Sequence, residues 1–458
     1  MNTSPPDFYK VTGNSIKNPP SSLIGRLKFL GPGFILSASI VGSGELIATT
    51  TLGAKAGFTA FWIIIISCLV KVALQIEFGK HAIITGESPM NSFNRLPGPR
   101  LKNGSWAVWS VFLLMTLKVV QLGGMLGGTA IVLNMLFPGI SISVWAAIAA
   151  LVSSLLIFKG YYTPIEKISL VMIALFTIMT LISLFSLFST SYSFTGHDIV
   201  SGLKFSLPPE LIGLAIGAFG ITGIGSDEII AYNYWCLEKG YAAYTGPRTE
   251  DTAWKERANG WIRVMYVDAI VAMIIYTAVT AAFYLLGAAI LHKQGLTPEG
   301  NEVIETLALI YTQSLGNEVK IMYLVGAFFV LFSSVFASLA AWTRLFTDIF
   351  GQLRWLDFYN PSTRKKTIAV LSWVIPFIWL LMFLFISLPV FMILSGGVVG
   401  SVMLLLIVFA ALHFRYKRVS DFKGSVVYNI FFWISVLSIL LIAIYGIVKL
   451  FSLYSYSL

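Results

Sequence analysis

Charged residues are scarce in this chain. Of its 458 residues only 11% are charged, whereas 57% are hydrophobic and the mean hydropathy is +0.82. A soluble globular protein has about 25% charged residues and about 45–50% apolar ones, so this chain lacks the polar surface that a water-facing body needs. The composition excludes a soluble protein and predicts a polytopic membrane protein.

Cysteine and histidine are also rare. The two cysteines, Cys68 and Cys236, lie in or beside apolar runs, which excludes a disulfide scaffold and any CxxC zinc or redox motif. The four histidines are scattered and have no metal-ligand spacing such as HExxH. The loops are too short for a catalytic domain. We therefore expect a protein that is not an enzyme and that holds no cofactor.

Long apolar runs are abundant. Eleven of them can cross about 30 Å of hydrocarbon at about 20 residues each. They lie near residues 30–53, 58–79, 106–136, 141–158, 165–188, 208–236, 262–290, 320–343, 367–386, 389–412 and 426–450. The sequence thus predicts an all-α protein with about eleven transmembrane helices.

The basic residues predict the orientation of these spans. With a cytoplasmic amino terminus, 24 of the 31 Lys and Arg residues fall on the cytoplasmic side, five fall outside and two lie within spans. This bias satisfies the positive-inside rule and places the carboxyl terminus outside. The net charge of +10 is thereby explained by topology, and we expect no nucleic-acid partner. An integral protein of the plasma (inner) membrane follows, with the lipid bilayer as its surroundings and no obligate protein partner evident.

The first predicted span carries an acid beside glycines. Gly42, Ser43 and Gly44 directly precede Glu45 near the middle of the span. A carboxylate at that depth costs a few kcal/mol and is functional by default, and glycine allows a helix to unwind. Unwound backbone at membrane depth survives only where it lines a cavity or is buried in protein. The alternative is a glycine-rich packing face with Glu45 hydrogen-bonded to a neighbour.

The sixth span repeats this pattern. Residues 225–231 match residues 42–48 at five of seven positions, at one offset of 183 residues, and carry Asp227 and Glu228. The sixth span lies five spans after the first, an odd number of crossings, so the two copies enter the membrane from opposite sides. This predicts a 5+5 inverted repeat with broken helices 1 and 6. The predicted segments are a flexible cytoplasmic tail at 1–27, repeats at 28–190 and 191–412, and a loop with the eleventh helix at 413–458.

Two broken helices that meet near the midplane place carbonyl oxygens beside Glu45, Asp227 and Glu228. Such hard, anionic oxygens suit a cation such as Mg²⁺, Ca²⁺ or Mn²⁺. Close like charges also favour protonation of one acid, which provides a route to proton coupling. The three acids are the predicted metal-binding residues. The predicted backbone contacts at the breaks come from Gly42, Ser43, Gly44, Ile224, Gly225 and Ser226.

Several motifs resemble the natural resistance-associated macrophage protein (NRAMP) family of divalent-metal transporters. They are residues 31–34 (Gly-Pro-Gly-Phe), the break about ten residues later, residues 54–58 (Ala-Lys-Ala-Gly-Phe) and residues 217–222 before the second break. The resemblance covers nearly the whole chain and implies the LeuT-like fold. It also implies transport of Mn²⁺ or Fe²⁺ with protons, the cation being substrate rather than cofactor.

The chain departs from that family at its signature positions. The family's Asp-Pro-Gly-Asn is here residues 42–45, so its metal-binding Asp is Gly42 and its Asn is Glu45. Its Met-Pro-His is residues 224–226 (Ile-Gly-Ser), and its span-three acidic pair aligns with Leu122 and Met125. Without the soft thioether the ligands favour Mn²⁺ or Mg²⁺ over direct coordination of Fe²⁺ or Zn²⁺.

Two other functions stay open. The same fold carries amino acids and other organic solutes, and an acidic pocket flanked by residues 232–235 (Tyr-Asn-Tyr-Trp) could bind an amine, with transport indifferent to competing divalent ions. A sensor without transport is the third alternative, although no sequence feature favours it.

Two lysines and a glutamine complete the candidates. Lys71 in span two and Lys118 in span three could neutralise the acids or replace a coupling ion, with Gln121 as a polar neighbour on the Lys118 face. The alternative for the lysines is interfacial snorkelling or a packed salt bridge. For Lys71, nearer the cytoplasmic half of its span, snorkelling is the favoured interpretation.

Overall fold

The computed structural model describes residues 7–42, 44–298, 303–315, 320–422 and 424–455. Almost all of the regular structure is helical, and the described residues also include one short antiparallel hairpin, β1 (Arg100–Leu101) and β2 (Gly104–Ser105), with Arg100 opposite Ser105. The main helices of the first half, in chain order, are α1 (Leu23–Leu27), α2 (Pro32–Ile40), α3 (Thr50–Ala56), α4 (Phe61–Thr85), α5 (Pro89–Phe93), α6 (Trp106–Leu117), α7 (Val119–Leu136), α8 (Ile142–Ile157), α9 (Tyr162–Ser186) and α10 (Gly196–Ser201).

The second half has the same character. Its main helices are α11 (Ile212–Ile221), α12 (Ser226–Lys239), α13 (Tyr241–Thr245), α14 (Thr252–Leu286), α15 (Val303–Leu315), α16 (Lys320–Gln352), α17 (Pro361–Ile386), α18 (Pro389–His413) and α19 (Val426–Ser455). A wider π-helical turn at Gly44–Thr49 precedes α3, and another at Gly287–His292 extends α14.

The membrane-crossing helices coincide with the predicted apolar runs. Nine spans in the described residues are long and apolar enough to cross a membrane, and α2 with the Gly44–Ala56 segment forms a tenth that bends by 42°. The helix α8 is apolar but has only 16 residues. The all-α membrane fold is thus confirmed. The number eleven stays a prediction, because it requires α8 to cross as well.

Local sequence explains where these helices begin and end. The side chains of Ser141 and Asp251 accept hydrogen bonds from the first turns of α8 and α14, as N-cap residues do. Pro361 and Pro389 occupy first helical positions, where no N–H is needed. Gly86, at φ +64°, ends α4 in the left-handed conformation that glycine favours.

The helices divide into a buried set and a lipid-facing set. In α4, and in the span formed by α11 and α12, about four fifths of the most apolar stretch of 18 residues is buried inside the protein (78% and 83%). In α9, α17 and α19 only 24%, 33% and 28% is buried. Exposed apolar helix faces are stable in lipid, so the second set surrounds the first. Nearly all residues of α2 and of the Gly44–Thr49 turn are buried as well, so both broken spans lie in the interior of the protein.

The described part of the predicted tail packs against the helices. Tyr9 is 8% exposed, and its hydroxyl donates to Glu238 at the end of α12 (2.6 Å). Asp7 pairs with Arg364 (2.6 Å), whose guanidinium stacks over the Tyr9 ring. Burial, followed by the Glu238 carboxylate, raises the pKa of Tyr9 well above its ordinary value, so the hydroxyl stays protonated and donates. Asp7 and Tyr9 are thus held against the helices. Residues 1–6 of the predicted tail lie outside the described residues, and the flexibility of the tail stays a prediction.

Candidate functional site

Both predicted breaks are present. The helix α2 ends at Ile40, and Val41 has left the helical conformation (ψ 76°). The helix α11 ends at Ile221, Thr222 is extended, and Gly223 has a φ of +64°. Only glycine adopts that conformation without strain, so the second interruption is encoded at this residue. Helices 1 and 6 are broken as the sequence predicts.

Glu45 connects the two breaks. Its side chain is completely buried, and it accepts a hydrogen bond from the backbone N–H of Gly223 at 3.1 Å. It also accepts from the Thr280 hydroxyl (3.3 Å) and, at the limit of 3.5 Å, from the N–H of Gly42. An acid from the first break thus receives an N–H that the second break leaves without a helical partner.

Glu228 makes the reciprocal connection. One carboxylate oxygen accepts from the Ser39 hydroxyl on α2 at 2.6 Å, and the other accepts from the backbone N–H of Gly225 at 2.6 Å. The second contact closes the first turn of α12, where an acid is also favoured by the positive end of the helix dipole. Glu45 and Glu228 therefore each bridge the two inverted halves.

Asp227 is held differently. One of its oxygens forms an ion pair with the Lys118 ammonium, and the other accepts from the indole N–H of Trp342 at 3.0 Å. The side chains of Lys118 and Asp227 are 2% and 11% exposed. Within the described ranges, no group of three His, Cys, Asp or Glu side chains is arranged to hold a metal ion. The structure thus groups Glu45 and Glu228 with the breaks and gives Asp227 a partner of its own.

A small cavity lies between α2, α12 and α16. Ser39, Asp227, Glu228, Ser338 and Trp342 contribute its polar lining. Its volume is about 10 Å³, about what one water molecule needs. The cavity can thus hold a single water or a bare ion and excludes an organic solute in this conformation.

The sequence did not identify three of these lining residues. Ser39 lies six residues before Glu45, and Ser338 and Trp342 lie on α16, which has no break and few charges to mark it. In the sequence, Ser338 and Trp342 are marked only as two polar groups four residues apart on an apolar helix. That signal is too common to single them out.

The glycines of the first break permit close packing. A Cβ on Gly42 would lie 1.5 Å from the Ser334 hydroxyl of α16, and one on Gly44 would lie 3.1 Å from Ile221. Ser334 itself donates to the carbonyl of Ser39 at 2.9 Å. At the position where the resembled family has its aspartate, any side chain would therefore displace Ser334 from its present position.

Of the other predicted break residues, Ile224, Gly225 and Ser226 are buried, and Ser43 lies outside the described residues. Ile224 is fully buried, and Ser226 Oγ has no hydrogen-bond partner among the described residues. The assignment of these residues to substrate binding stays a prediction.

Lys71 lies at the second break. It is fully buried, and its ammonium donates to the carbonyls of Phe219 and, at 2.8 Å, of Thr222 at the end of α11. The interpretation of Lys71 as a snorkelling residue is wrong. Burial between two helices holds its head group inside the protein, where the last carbonyls of α11 need donors.

Gln121 is 5% exposed and lies against α18, where a Cβ on Gly396 would approach its side chain to 2.2 Å. The same helix meets α11 backbone to backbone, since a Cβ on Gly220 would lie 1.8 Å from the carbonyl oxygen of Gly397. The α18 glycines therefore serve close packing, and α18 is a continuous helix. Leu122 and Met125 are buried apolar residues.

The aromatic residues considered for amine binding have other partners. Tyr232 donates to Asp268 (2.9 Å), Tyr234 to Asp348 (2.8 Å), and the Asn233 amide lies against a backbone carbonyl of α4 (3.4 Å). Of this group only Trp235 lines the small cavity. The structure therefore does not assemble the pocket that the amine interpretation requires.

An α-helical membrane protein with two inverted, broken spans and acids at both breaks has the architecture of a secondary transporter. The family model described as "Natural resistance-associated macrophage protein-like" matches residues 33–449. The chain belongs to this family.

Curated relatives agree. The divalent metal cation transporter MntH of Bacillus subtilis is 26% identical over 287 residues, which cover 61% of each chain. That of Xanthomonas campestris is 27% identical over 293 residues, covering 62% of this chain and 60% of its own length. The chain thus spans about three fifths of the length of these relatives. Both relatives are named as transporters, which agrees with the expectation that this chain is not an enzyme.

Solved structures share the fold. A point variant of the manganese transporter of Eremococcus coleocola superimposes with a TM-score of 0.63 at 16% identity, covering 94% of this chain and 88% of the other. A nucleobase-cation-symport-1 family transporter gives 0.58 at 14% identity, covering 96% and 95%. The fold is LeuT-like, as predicted.

Proposed function

We propose that this protein is a secondary-active transporter of a divalent metal cation, with Mn²⁺ or Mg²⁺ favoured. The observation that carries the proposal is the pair Glu45 and Glu228, each of which bridges the two interrupted spans. Because each acid contacts both inverted halves, relative movement of the halves must change its surroundings. Relatives named as divalent metal cation transporters support the substrate class.

The available ligands are hard oxygens. Glu228, Ser39 and Ser338 line the small cavity, and Ile224 stands where the resembled family has its methionine. Carboxylate and hydroxyl oxygens suit Mg²⁺ and Mn²⁺, and they do not select soft metals as a thioether does. A cavity of about 10 Å³ has no room for a hydrated ion, so the ion enters after the halves move apart.

Asp227 remains the third proposed ligand. Direct binding by its carboxylate requires the ion pair with Lys118 to open, which leaves Lys118 as the charge that balances the acids when the site is empty. Gln121 lies on the same helix face, and we keep it as a candidate for coupling. Proton coupling is part of the proposal because a proton can replace the cation on an acid.

The topology is also proposed. We place the protein in the plasma (inner) membrane with its amino terminus in the cytoplasm and its carboxyl terminus outside, and divide it into segments 1–27, 28–190, 191–412 and 413–458. The inverted pair of broken spans supports the division into two repeats, and the distribution of basic residues supports the orientation. Lipid and the transported cation are the only partners that the proposal needs.

The test is uptake of Mn²⁺, Mg²⁺ and Ca²⁺ by proteoliposomes that also contain a pH-sensitive dye. We expect Glu45→Gln and Glu228→Gln each to lower uptake about tenfold or more, because a hydrogen bond or contact to a charged group contributes about 1.5–3 kcal/mol and 1.4 kcal/mol is tenfold. Glu250→Gln is the control, since the Glu250 side chain is 78% exposed and pairs with Lys255 on the surface.

Uptake that is unchanged in both variants would refute the assignment of the two acids. Internal acidification that accompanies uptake would establish proton coupling, whereas uptake without proton movement would define a uniporter. Uptake of an amine that ignores competing divalent ions would favour the second function.

A further inference from the structure

The carboxyl end of α11 contains a site of unusual composition. The last carbonyls of a helix lack helical partners and lie at the negative end of its dipole. Here the Phe219 and Thr222 carbonyls point at one ammonium group, that of Lys71, at 2.8 Å for Thr222. Ser67, one turn earlier on α4, donates to the same two carbonyls at 3.1 and 2.8 Å.

The direct hydrogen-bond partners of the Lys71 ammonium are carbonyl oxygens rather than a carboxylate. Its side chain has no exposure, and among the described residues it forms no ion pair with an acid. Its direct contacts are the two carbonyls and the ring of Phe219, whose centroid lies 4.7 Å from the ammonium. A buried cation held by carbonyl dipoles and an aromatic face has the environment of a bound monovalent ion rather than that of a salt bridge.

The position also matters. Thr222 and Gly223 form the second break, and Gly223 donates to Glu45. The ammonium therefore lies on one side of the interrupted backbone while an acid of the proposed metal site lies on the other. A cation at this position stabilises the interruption, because it satisfies, by N–H donation or by coordination, carbonyl oxygens that have lost their helical donors.

We propose that Lys71 is a tethered cation that permanently fills a monovalent-cation site at the carboxyl end of α11, so that the protein needs no dissociable ion there. The role of this cation in a transport cycle rests on the proposed function. Cation binding at the site itself can be measured without transport. Truncating the side chain to alanine would leave a cavity lined by the Phe219 and Thr222 carbonyls and the Ser67 hydroxyl. Those hard oxygens would then accept K⁺, Na⁺ or methylammonium.

The experiment measures the melting temperature of the purified full-length protein in choline chloride and in NaCl, KCl or methylammonium chloride at equal ionic strength. We expect the wild type to melt at the same temperature in all four salts. Lys71→Ala should melt lower in choline and rise saturably with at least one small cation, as binding to the folded state requires. Its uptake of Mn²⁺ should be lost in choline and partly restored by the same cation.

Two matched variants separate this role from a purely structural one. Lys71→Met fills the space with an apolar chain, so it should be destabilised without gaining a response to cations. Ser67→Ala removes the other donor to the same carbonyls but opens no ammonium-sized space, so it should also show no cation response. If Lys71→Ala cannot be purified, its folded yield in membranes with and without methylammonium gives the same comparison.

A Lys71→Ala protein that no small cation stabilises, in detergent or in membranes, overturns the proposal. So does a wild type that depends on Na⁺ or K⁺ to the same extent as the variant. A cation response in Lys71→Ala together with a wild type that takes up no divalent metal would retain the tethered cation and refute the proposed function instead.

Discussion

The ion pair between Lys118 and Asp227 allows the sharpest test of how the site is built. Its members are 2% and 11% exposed, and Asp227 has one further partner, Trp342 at 3.0 Å. Removing one member of such a pair leaves an uncompensated buried charge and costs about 3–5 kcal/mol, whereas replacing both is often neutral. For Lys118→Met we expect about 3 kcal/mol, because Trp342 still donates to the remaining carboxylate.

The double variant Lys118→Met/Asp227→Asn shows whether the two charges stabilise the protein as a pair. Asp227→Asn alone leaves the Lys118 ammonium unpaired and should cost a similar free energy of unfolding. When Lys118→Met is combined with Asp227→Asn, neither charge remains and the new amide oxygen still offers Trp342 an acceptor, so most of the loss should be recovered. The measurement is the free energy of unfolding in lipid bicelles, with Mn²⁺ uptake of the same four proteins beside it.

The two readouts distinguish the roles of Asp227. A double variant that regains both stability and uptake identifies the pair as structural. One that regains stability but not uptake identifies Asp227 as a ligand of the cation. If Lys118→Met is as stable as the wild type, or if the two single losses simply add in the double variant, the buried ion pair described above is refuted.

Two further predictions concern packing at the first break and the attachment of the tail. Gly42→Ala should destabilise the protein by about 1–3 kcal/mol, because the new Cβ would lie 1.5 Å from Ser334 Oγ. Ser334→Gly should restore part of the loss, and equal melting temperatures of wild type and Gly42→Ala in detergent would contradict the close contact. Tyr9→Phe removes a 2.6 Å hydrogen bond to Glu238, worth about 1.5–3 kcal/mol for a charged acceptor. Trypsin should therefore cleave the tail of Tyr9→Phe faster than that of the wild type or of Tyr161→Phe, a control at a residue that is 61% exposed. Unchanged cleavage would show that this bond does not fix the tail.

The sequence predicts the spans and breaks well because both follow from local rules. Apolar length defines a span, and glycine at Gly223 permits a backbone conformation that other residues adopt with strain. The repeat of residues 42–48 at 225–231 adds the relation between the halves. These features require no knowledge of which helices touch.

The site itself depends on contacts between distant segments. The position of Lys71 along its span favours an interfacial side chain, yet Lys71 is buried because the carboxyl end of α11 lies beside it. Asp227 is adjacent to Glu228 in sequence, yet successive residues on a helix point in different directions, and Lys118 and Trp342 are on the Asp227 side. Such partners can be found only once the helices are packed.

The backbone contact between α11 and α18 has a mechanical consequence. At Gly220 and Gly397 the two backbones approach directly, and the Ser401 hydroxyl of α18 donates beside them to the carbonyl of Ile216 at 3.1 Å, so the contact leaves little room for one helix to slide past the other. We therefore expect α11 and α18 to move together as one rigid body. The hinge would then fall at Thr222 and Gly223, where Gly223 donates to Glu45, one of the two acids whose surroundings change when the halves move.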